Sequence, residues 1–221
     1  MEKITYQKLY QLQDEVLNIV FTLENDFYLT GGTALHRFYY NGRYSDDLDF
    51  FVSNSQTFSE DINEIIQLLK EQNYKISHIV TSRDFYRVIV NDVLQLDFVN
   101  DRVYRYKKSN LINTFRIDNK INILTNKLTT IISRDEEKDI FDLFYLAFHE
   151  TFNWNEMIEI ANKKSLIETD ILLYRIKSFP LEWLDRIKKI EDFKIEEADI
   201  VQLVFDIQNG DNNTLYKRKG F

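Results

Sequence analysis

The sequence predicts an α+β protein in which a mixed-sheet half, residues 1–117, precedes a helical half, residues 118–221. Three observations predict it. Segments that alternate with period two and are rich in β-branched and aromatic side chains run as far as Val99. From Asn119 onward almost every segment carries apolar residues at helical spacing instead. One proline and five glycines in 221 residues favour long helices and few sharp turns. No Pro/Gly-rich linker marks the seam near 115–120, so the halves are expected to pack together, with the cleft between them as the natural ligand site.

Each element follows from its own pattern. Residues 3–25 set Ile4, Leu9, Leu12, Val16, Ile19, Val20 and Leu23 on one helical stripe, which Asn25-Asp26 ends. A strand from Phe27 to Thr30, a helix from Ala34 to Tyr40 and a strand through Asp47 and Asp49 come next. Ser53-Asn54-Ser55-Gln56 is a turn, and Thr57 or Ser59 caps a helix to about Gln72 that buries Ile62, Ile65, Ile66, Leu68 and Leu69. Tyr74 to Thr81, Phe85 to Val90 and Val93 to Val99 read as strands, the last two joined at Asn91-Asp92. Tyr104 to Ile117 holds one short strand or a crossing loop. Helices are expected at Asn119–Ser133, Lys138–Glu150, Trp154–Lys163, Glu168–Ser178, Leu181–Lys189 and Glu196–Gln208. The basic tail from Tyr216 to Phe221 carries no reading.

Composition excludes several classes of function. With 44% hydrophobic and 29% charged residues the chain can bury a core and is not disordered. The absence of cysteine rules out disulfides and thiolate metal sites and suits a reducing cytoplasm. No signal-peptide pattern or membrane-length apolar run is present, so a cytoplasmic protein with no membrane partner is expected. A net charge of −8 speaks against a general nucleic-acid coat. Cations nevertheless gather locally at Arg102, Arg105, Lys107, Lys108, Arg116, Lys120, Lys127 and Arg134. That cluster suits an NTP or an RNA end, and equally a solvated helix face.

The chemistry concentrates in residues 28–51. Asp47 and Asp49 flank Leu48 in an apolar run, so on a strand both carboxylates share a face while Leu48 and Phe50 point inward. Two adjacent anions repel, and a bound cation relieves them; Mg²⁺ prefers such oxygen ligands and shares its coordination with substrate phosphates. Gly31-Gly32 between strand and helix lets backbone N–H groups approach a phosphate at a helix N-terminus, with the Thr33 hydroxyl as a further donor. Asp97, between Leu96 and Phe98 on the return strand of a hairpin, can stand beside Asp47 and Asp49. His36, His78 and His149 do not cluster, and Tyr39, Tyr40 and Tyr44 are read as core packing rather than as a base-stacking platform.

The order Gly-Gly-Thr, spacer, Asp-x-Asp resembles the signature of the DNA polymerase β nucleotidyltransferase superfamily. More narrowly, Gly31-Gly32-Thr33-Ala34-Leu35 followed by Arg43-Tyr44-Ser45-Asp46-Asp47-Leu48-Asp49-Phe50 is similar to the AbiEii/AbiGii toxin family of bacterial nucleotidyltransferases. The resemblance implies a polymerase β-like N-terminal domain followed by a helical bundle. It implies NTP as substrate and Mg²⁺ or Mn²⁺ as cofactor, held by Asp47, Asp49 and Asp97 as metal ligands and catalytic carboxylates. It places Gly31, Gly32, Thr33 and Ser45 on the nucleotide, and it implies an RNA acceptor, tRNA foremost, with a separately encoded antitoxin as partner.

A second stretch carries the resemblance further. Lys127 and Arg134 share a face of one expected helix, and Asp139 and Asp142 a face of the next, which suits either an ion-pair lock or a phosphate clamp. The pattern Lys127-Leu128, Arg134, Lys138-Asp139-Ile140-Phe141-Asp142-Leu143 resembles the second block of the AbiEii/AbiGii family. The resemblance counts Lys127, as catalytic, and Asp139 among functional positions, and the clamp reading sets Arg134 beside them on the nucleotide. Lys138 stands where an arginine is expected, which weakens a bidentate role there. The resemblance covers about residues 28–145. Two other readings stand beside it: a small-molecule nucleotidyltransferase of the aminoglycoside type, and a catalytically weak nucleotide- or RNA-binding module, against which the intact Asp47, Asp49 and Asp97 speak.

Overall fold

The computed structural model describes residues 5–217; Ile4 and the basic tail beyond Lys217 lie outside the described residues. The chain forms two compact units. One takes the described part of Met1–Tyr40 with Tyr44–Arg102 and Lys108–Asp118. The other takes Asn41–Arg43, Val103–Lys107 and the described part of Asn119–Phe221.

The first unit is built on a seven-stranded mixed sheet. Helix α1 (Tyr6–Thr22) starts at Thr5, whose side chain accepts from the Lys8 N–H, and buries the stripe Leu9, Leu12, Val16, Ile19 and Val20. Strand β1 (Tyr28–Thr30) passes directly into α2 (Gly31–Ala34), which continues as a π-helical turn, Leu35–Tyr39. The helix thus begins earlier than expected, because Gly31 and Gly32 have no apolar side chain for periodicity to register. β2 (Leu48–Ser53), α3 (Phe58–Glu71), β3 (Ile76–Thr81), β4 (Phe85–Val90) and β5 (Leu94–Asp101) follow. The stretch expected to hold one short strand or a loop forms a hairpin of β6 (Asn110–Ile112) and β7 (Phe115–Ile117), turning where Asn113 has φ 55°. The strand order is β3-β4-β5-β2-β1-β7-β6, with β2 parallel to β5 and antiparallel to β1.

Apolar packing sets the register of that sheet. Leu48 and Phe50 of β2 and Leu96 and Phe98 of β5 are fully buried, and the Phe50 and Phe98 rings stack 5.2 Å apart. Because side chains alternate, a slip of one residue would turn all four outward. Held in this register, β2 and β5 put Asp49 opposite Asp97. Asn91 and Asp92, at φ 52° and 60°, close the β4–β5 hairpin in the left-handed region that Asn and Asp tolerate.

The second unit is helical. α4 (Lys120–Ser133) is capped by Asn119, whose side chain accepts from the Asn122 N–H at 2.9 Å. α5 (Glu137–His149), α6 (Trp154–Asn162), α7 (Thr169–Ser178) and α8 (Glu197–Asn209) follow. Leu181–Arg186 forms a 3₁₀ segment rather than the expected helix to Lys189. α5 is buried on almost every side, including Ile140, Phe141, Leu143, Phe144 and Tyr145. The short Asn41–Arg43 segment is fastened here: the Gly42 carbonyl accepts from the Ile190 N–H at 2.9 Å, and a Cβ on Gly42 would stand 2.2 Å from the Tyr145 ring. Among the described residues no helix is long and apolar enough to cross a membrane.

Candidate active site

Three strands and one helix start meet at Asp49. Its register partner across β1–β2 is Thr30, the last residue before α2. A Cβ built on Gly31 would lie 2.3 Å from Asp49 Oδ2, and Gly31 has φ +71°. Position 31 therefore excludes a side chain twice, by backbone conformation and by space. Gly32 lies outside the positive-φ region, so of the pair only Gly31 needs to be glycine on conformational grounds. Asp47 comes just before β2 rather than inside it.

The Thr33 hydroxyl is placed otherwise than expected. It is buried, donates to the Asp47 carbonyl, and lies 2.8 Å from the Ser45 hydroxyl. It thus positions the segment leading into Asp47 instead of facing a phosphate. That segment is pinned from α1 as well. The Tyr6 hydroxyl donates to Asp46 Oδ1 at 2.8 Å, Tyr10 accepts from the Ser45 N–H at 3.1 Å, and Gln13 donates to the Ser45 carbonyl at 3.1 Å. The Tyr6 and Tyr44 rings stack 4.0 Å apart, and burial with the neighbouring Asp46 pushes the Tyr6 phenol well above its ordinary range. The role of Tyr6, Tyr10 and Gln13 was not read from sequence. Their spacing along one helix face, beside an otherwise apolar stripe, was the available signal.

Asp97 has a partner that the sequence reading also missed. Arg87, its register partner on β4, donates through Nε to Oδ1 at 2.7 Å and through Nη2 to Oδ2 at 2.6 Å. These hydrogen bonds hold the guanidinium above the ordinary arginine range against its burial, and Asp47 and Asp49 add to the effect through space. Among the described residues no group of three or more His, Cys, Asp or Glu side chains is placed to hold a metal ion. Of the three aspartates expected to share a metal, Asp97 is engaged through both oxygens by Arg87. The donor chemistry at Asp47 and Asp49, carboxylate oxygen alone, still suits a hard divalent cation that shares its coordination with phosphate.

The helical unit holds a second charged cluster. Lys127 Nζ lies 2.7 Å from Asp139 Oδ1 and 2.7 Å from Asp142 Oδ2. Arg43 donates to both oxygens of Asp142 at 2.7 and 2.8 Å, and Arg134 Nε donates to Asp139 Oδ2 at 2.7 Å. All but Arg134, whose side chain is 55% exposed, are buried. Arg43, Lys127 and Arg134 thus converge on the two carboxylates of Asp139 and Asp142. Burial works against the Lys127 ammonium, but Asp142 and Asp139 outweigh it and hold its pKa above the ordinary lysine range. Burial works against the Asp139 carboxylate too, and Lys127 and Arg134 outweigh that, so it titrates below the usual range. Three other cations of the basic stretch have partners elsewhere: Arg102 pairs with Asp84 at 2.7 Å, Arg116 holds the Phe27 carbonyl at 2.7 Å, and Lys120 pairs with Glu150.

A seven-stranded mixed sheet with a glycine-led helix start is here the fold of a nucleotidyltransferase. The particular family follows from comparison with known proteins. The model of the nucleotidyl transferase AbiEii toxin family, Type IV TA system, matches residues 17–206, and this chain belongs to that family. An uncharacterized protein of Aquifex aeolicus (strain VF5), aq_aa25, is 32% identical over 167 residues, which cover 72% of this chain and 76% of that one. The fold is shared with JHP933 from Helicobacter pylori at a TM-score of 0.59 and 19% identity, covering 96% of this chain and 92% of that one. The Megavirus polyadenylate synthase matches over 66% of this chain and 32% of its own, with a TM-score of 0.50 and 19% identity.

Proposed function

We propose that this nucleotidyltransferase depends on a divalent cation, Mg²⁺ or Mn²⁺, and transfers NMP from an NTP to an RNA acceptor, tRNA foremost. On this reading it acts in the cytoplasm as the toxin of a toxin–antitoxin pair, restrained by a separately encoded antitoxin. The observation that carries the reading is the register that sets Asp49 of β2 opposite Asp97 of β5, with Asp47 next to β2 and Gly31 against Asp49. Family membership supports the toxin role and the antitoxin partner.

The chemistry needs little beyond positioning and charge. An acceptor hydroxyl attacks the α-phosphorus, the bond to the bridging oxygen breaks, and pyrophosphate leaves in line. When bound, a divalent cation supplies Lewis-acid stabilisation of the phosphoryl oxygens and lowers the pKa of the attacking hydroxyl. Asp47 and Asp49 would hold it, and Asp97 would complete the set and take part in removing the hydroxyl proton. Backbone N–H groups of Gly32 and Thr33 at the start of α2 would hold phosphate, with Gly31 and Ser45 shaping that approach. Lys127, held in place by Asp139, with Arg134 on the same carboxylate, would counter charge on the leaving pyrophosphate.

The test is transfer of label from each of the four α-³²P NTPs to total RNA, with wild-type protein and Asp49→Asn, in Mg²⁺ and in EDTA. Label is expected in an RNA band with the wild type in Mg²⁺ only. Label that stays out of RNA with every NTP, yet enters an aminoglycoside under the same conditions, would replace the RNA acceptor by a small molecule.

A further inference from the structure

Asp97 is the group that the proposed metal site needs and does not have to hand. Arg87 engages both of its oxygens, in a geometry that a guanidinium makes equally well with phosphate. The two partners differ in freedom. The Asp97 side chain is 11% exposed, whereas that of Arg87 is 36% exposed and can swing toward solvent without becoming a buried, unpaired cation. The strand register sets Asp49 directly opposite Asp97, so the carboxylate that Arg87 grips stands next to the proposed metal ligands.

We propose that Arg87 is a positioning residue which couples nucleotide to metal: it holds Asp97 until a triphosphate arrives, then passes its guanidinium to the phosphates and releases Asp97 to the divalent cation. Arg87 thereby keeps the centre incomplete until the nucleotide is in place. The inference rests on the metal-dependent reading above, and it requires two opposite effects from one substitution. Without Arg87, Asp97 keeps the neutral Gln95 amide, 3.3 Å from Oδ2, but loses its charged competitor, and metal alone binds more tightly. Without Arg87, the triphosphate loses a partner and nucleotide alone binds more weakly.

Both effects are read without turnover. Mn²⁺ binding is measured by the EPR signal of the free ion, in the absence of nucleotide, for wild type, Arg87→Gln, Arg87→Lys and Asp49→Asn. Binding of a non-transferable α,β-methylene NTP is measured by calorimetry in EDTA for the same proteins. Arg87→Gln is expected to bind Mn²⁺ about tenfold more tightly and the analogue about tenfold more weakly, the scale of one charge-assisted hydrogen-bonded pair. Arg87→Lys, which keeps the charge and loses the fork, is expected to fall between; should Arg87→Gln not fold by circular dichroism, Arg87→Lys is read by the same criterion. Mn²⁺ affinity within about twofold of wild type, with Asp49→Asn abolishing binding, overturns the Arg87 assignment and leaves the metal reading standing. Unchanged affinity for the analogue overturns the transfer of the guanidinium. No Mn²⁺ binding by any of the proteins overturns both readings.

Discussion

Replacing Lys127 separates catalysis from folding in the charged cluster of the helical unit. Lys127→Met keeps most of the buried stem and removes the ammonium that lies 2.7 Å from both Asp139 and Asp142. Removing one partner of a buried pair typically costs about 3–5 kcal/mol, because a charge is left without compensation. Here each carboxylate keeps a guanidinium, Asp142 that of Arg43 and Asp139 that of Arg134. The cost of Lys127→Met should therefore drop to about 1–3 kcal/mol. Asp142→Asn removes the carboxylate on which both Arg43 and Lys127 close, so the full 3–5 kcal/mol, roughly, is expected there. At about 2–4 °C per kcal/mol for a chain of this size, melting by circular dichroism resolves the two variants. If Lys127 also counters charge on pyrophosphate, single-turnover NMP transfer at saturating NTP falls by a further amount of about 2–4 kcal/mol, roughly 30- to 900-fold per folded molecule. Normal transfer per folded molecule would confine Lys127 to folding. A Lys127→Met variant less stable than Asp142→Asn would refute the assignment of charges within the cluster.

Three further outcomes follow from particular contacts. Gly31→Ala should lose about 1–2 kcal/mol to its left-handed backbone, and it should weaken Mn²⁺ binding because the new Cβ displaces Asp49 Oδ2, 2.3 Å away; equal Mn²⁺ affinity in EPR would remove Gly31 from the site. Asp49→Asn should abolish Mn²⁺ binding at an equal or higher melting temperature, and lost stability with binding intact would make Asp49 structural. Asp139 is held below the ordinary carboxylate range, so its contribution is complete above about pH 4 and is lost as pH falls through its folded value. Lys127, held above the ordinary lysine range, contributes fully below about pH 10 and loses that contribution only at more alkaline pH. Urea melts from pH 3 to 7 should show a shallower acid limb for Asp139→Asn than for wild type, and identical limbs would exclude Asp139 as its source.

The strand and helix plan was legible wherever one residue's pattern was enough to decide its environment. Leu48, Phe50, Leu96 and Phe98 alternate with Asp49 and Asp97, and burial of the apolar set brings the two aspartates together. Features that depend on a partner distant in the chain were not legible. Arg87 is nearer, in a hairpin that the sequence does show, but only the register that sets Val90 opposite Leu94 rather than Val93 brings it opposite Asp97. Tyr6, Tyr10 and Gln13 look like the wet side of α1, yet they hold Ser45 and Asp46. A Gly-Gly pair in a sequence suggests room for a ligand, whereas at Gly31 the room is taken by Asp49. The hairpin of β6 and β7 was undercounted because each strand spans so few residues that no period can establish itself.

The placement of Asn41–Arg43 and Val103–Lys107 in the helical unit bears on how such a protein can be recombined. A gene fusion that joins residues 1–118 of this chain to the helical unit of a relative would keep Gly42 and Arg43 but meet a foreign Tyr145 and Asp142. The missing Cβ at Gly42 would then have to suit whatever side chain stands in place of Tyr145, and the two-pronged grip of Arg43 would need its carboxylate in the same place. Three separate stretches of gene thus behave as one heritable part. Shuffled descendants should survive when all three travel together and fail when only the long C-terminal one does.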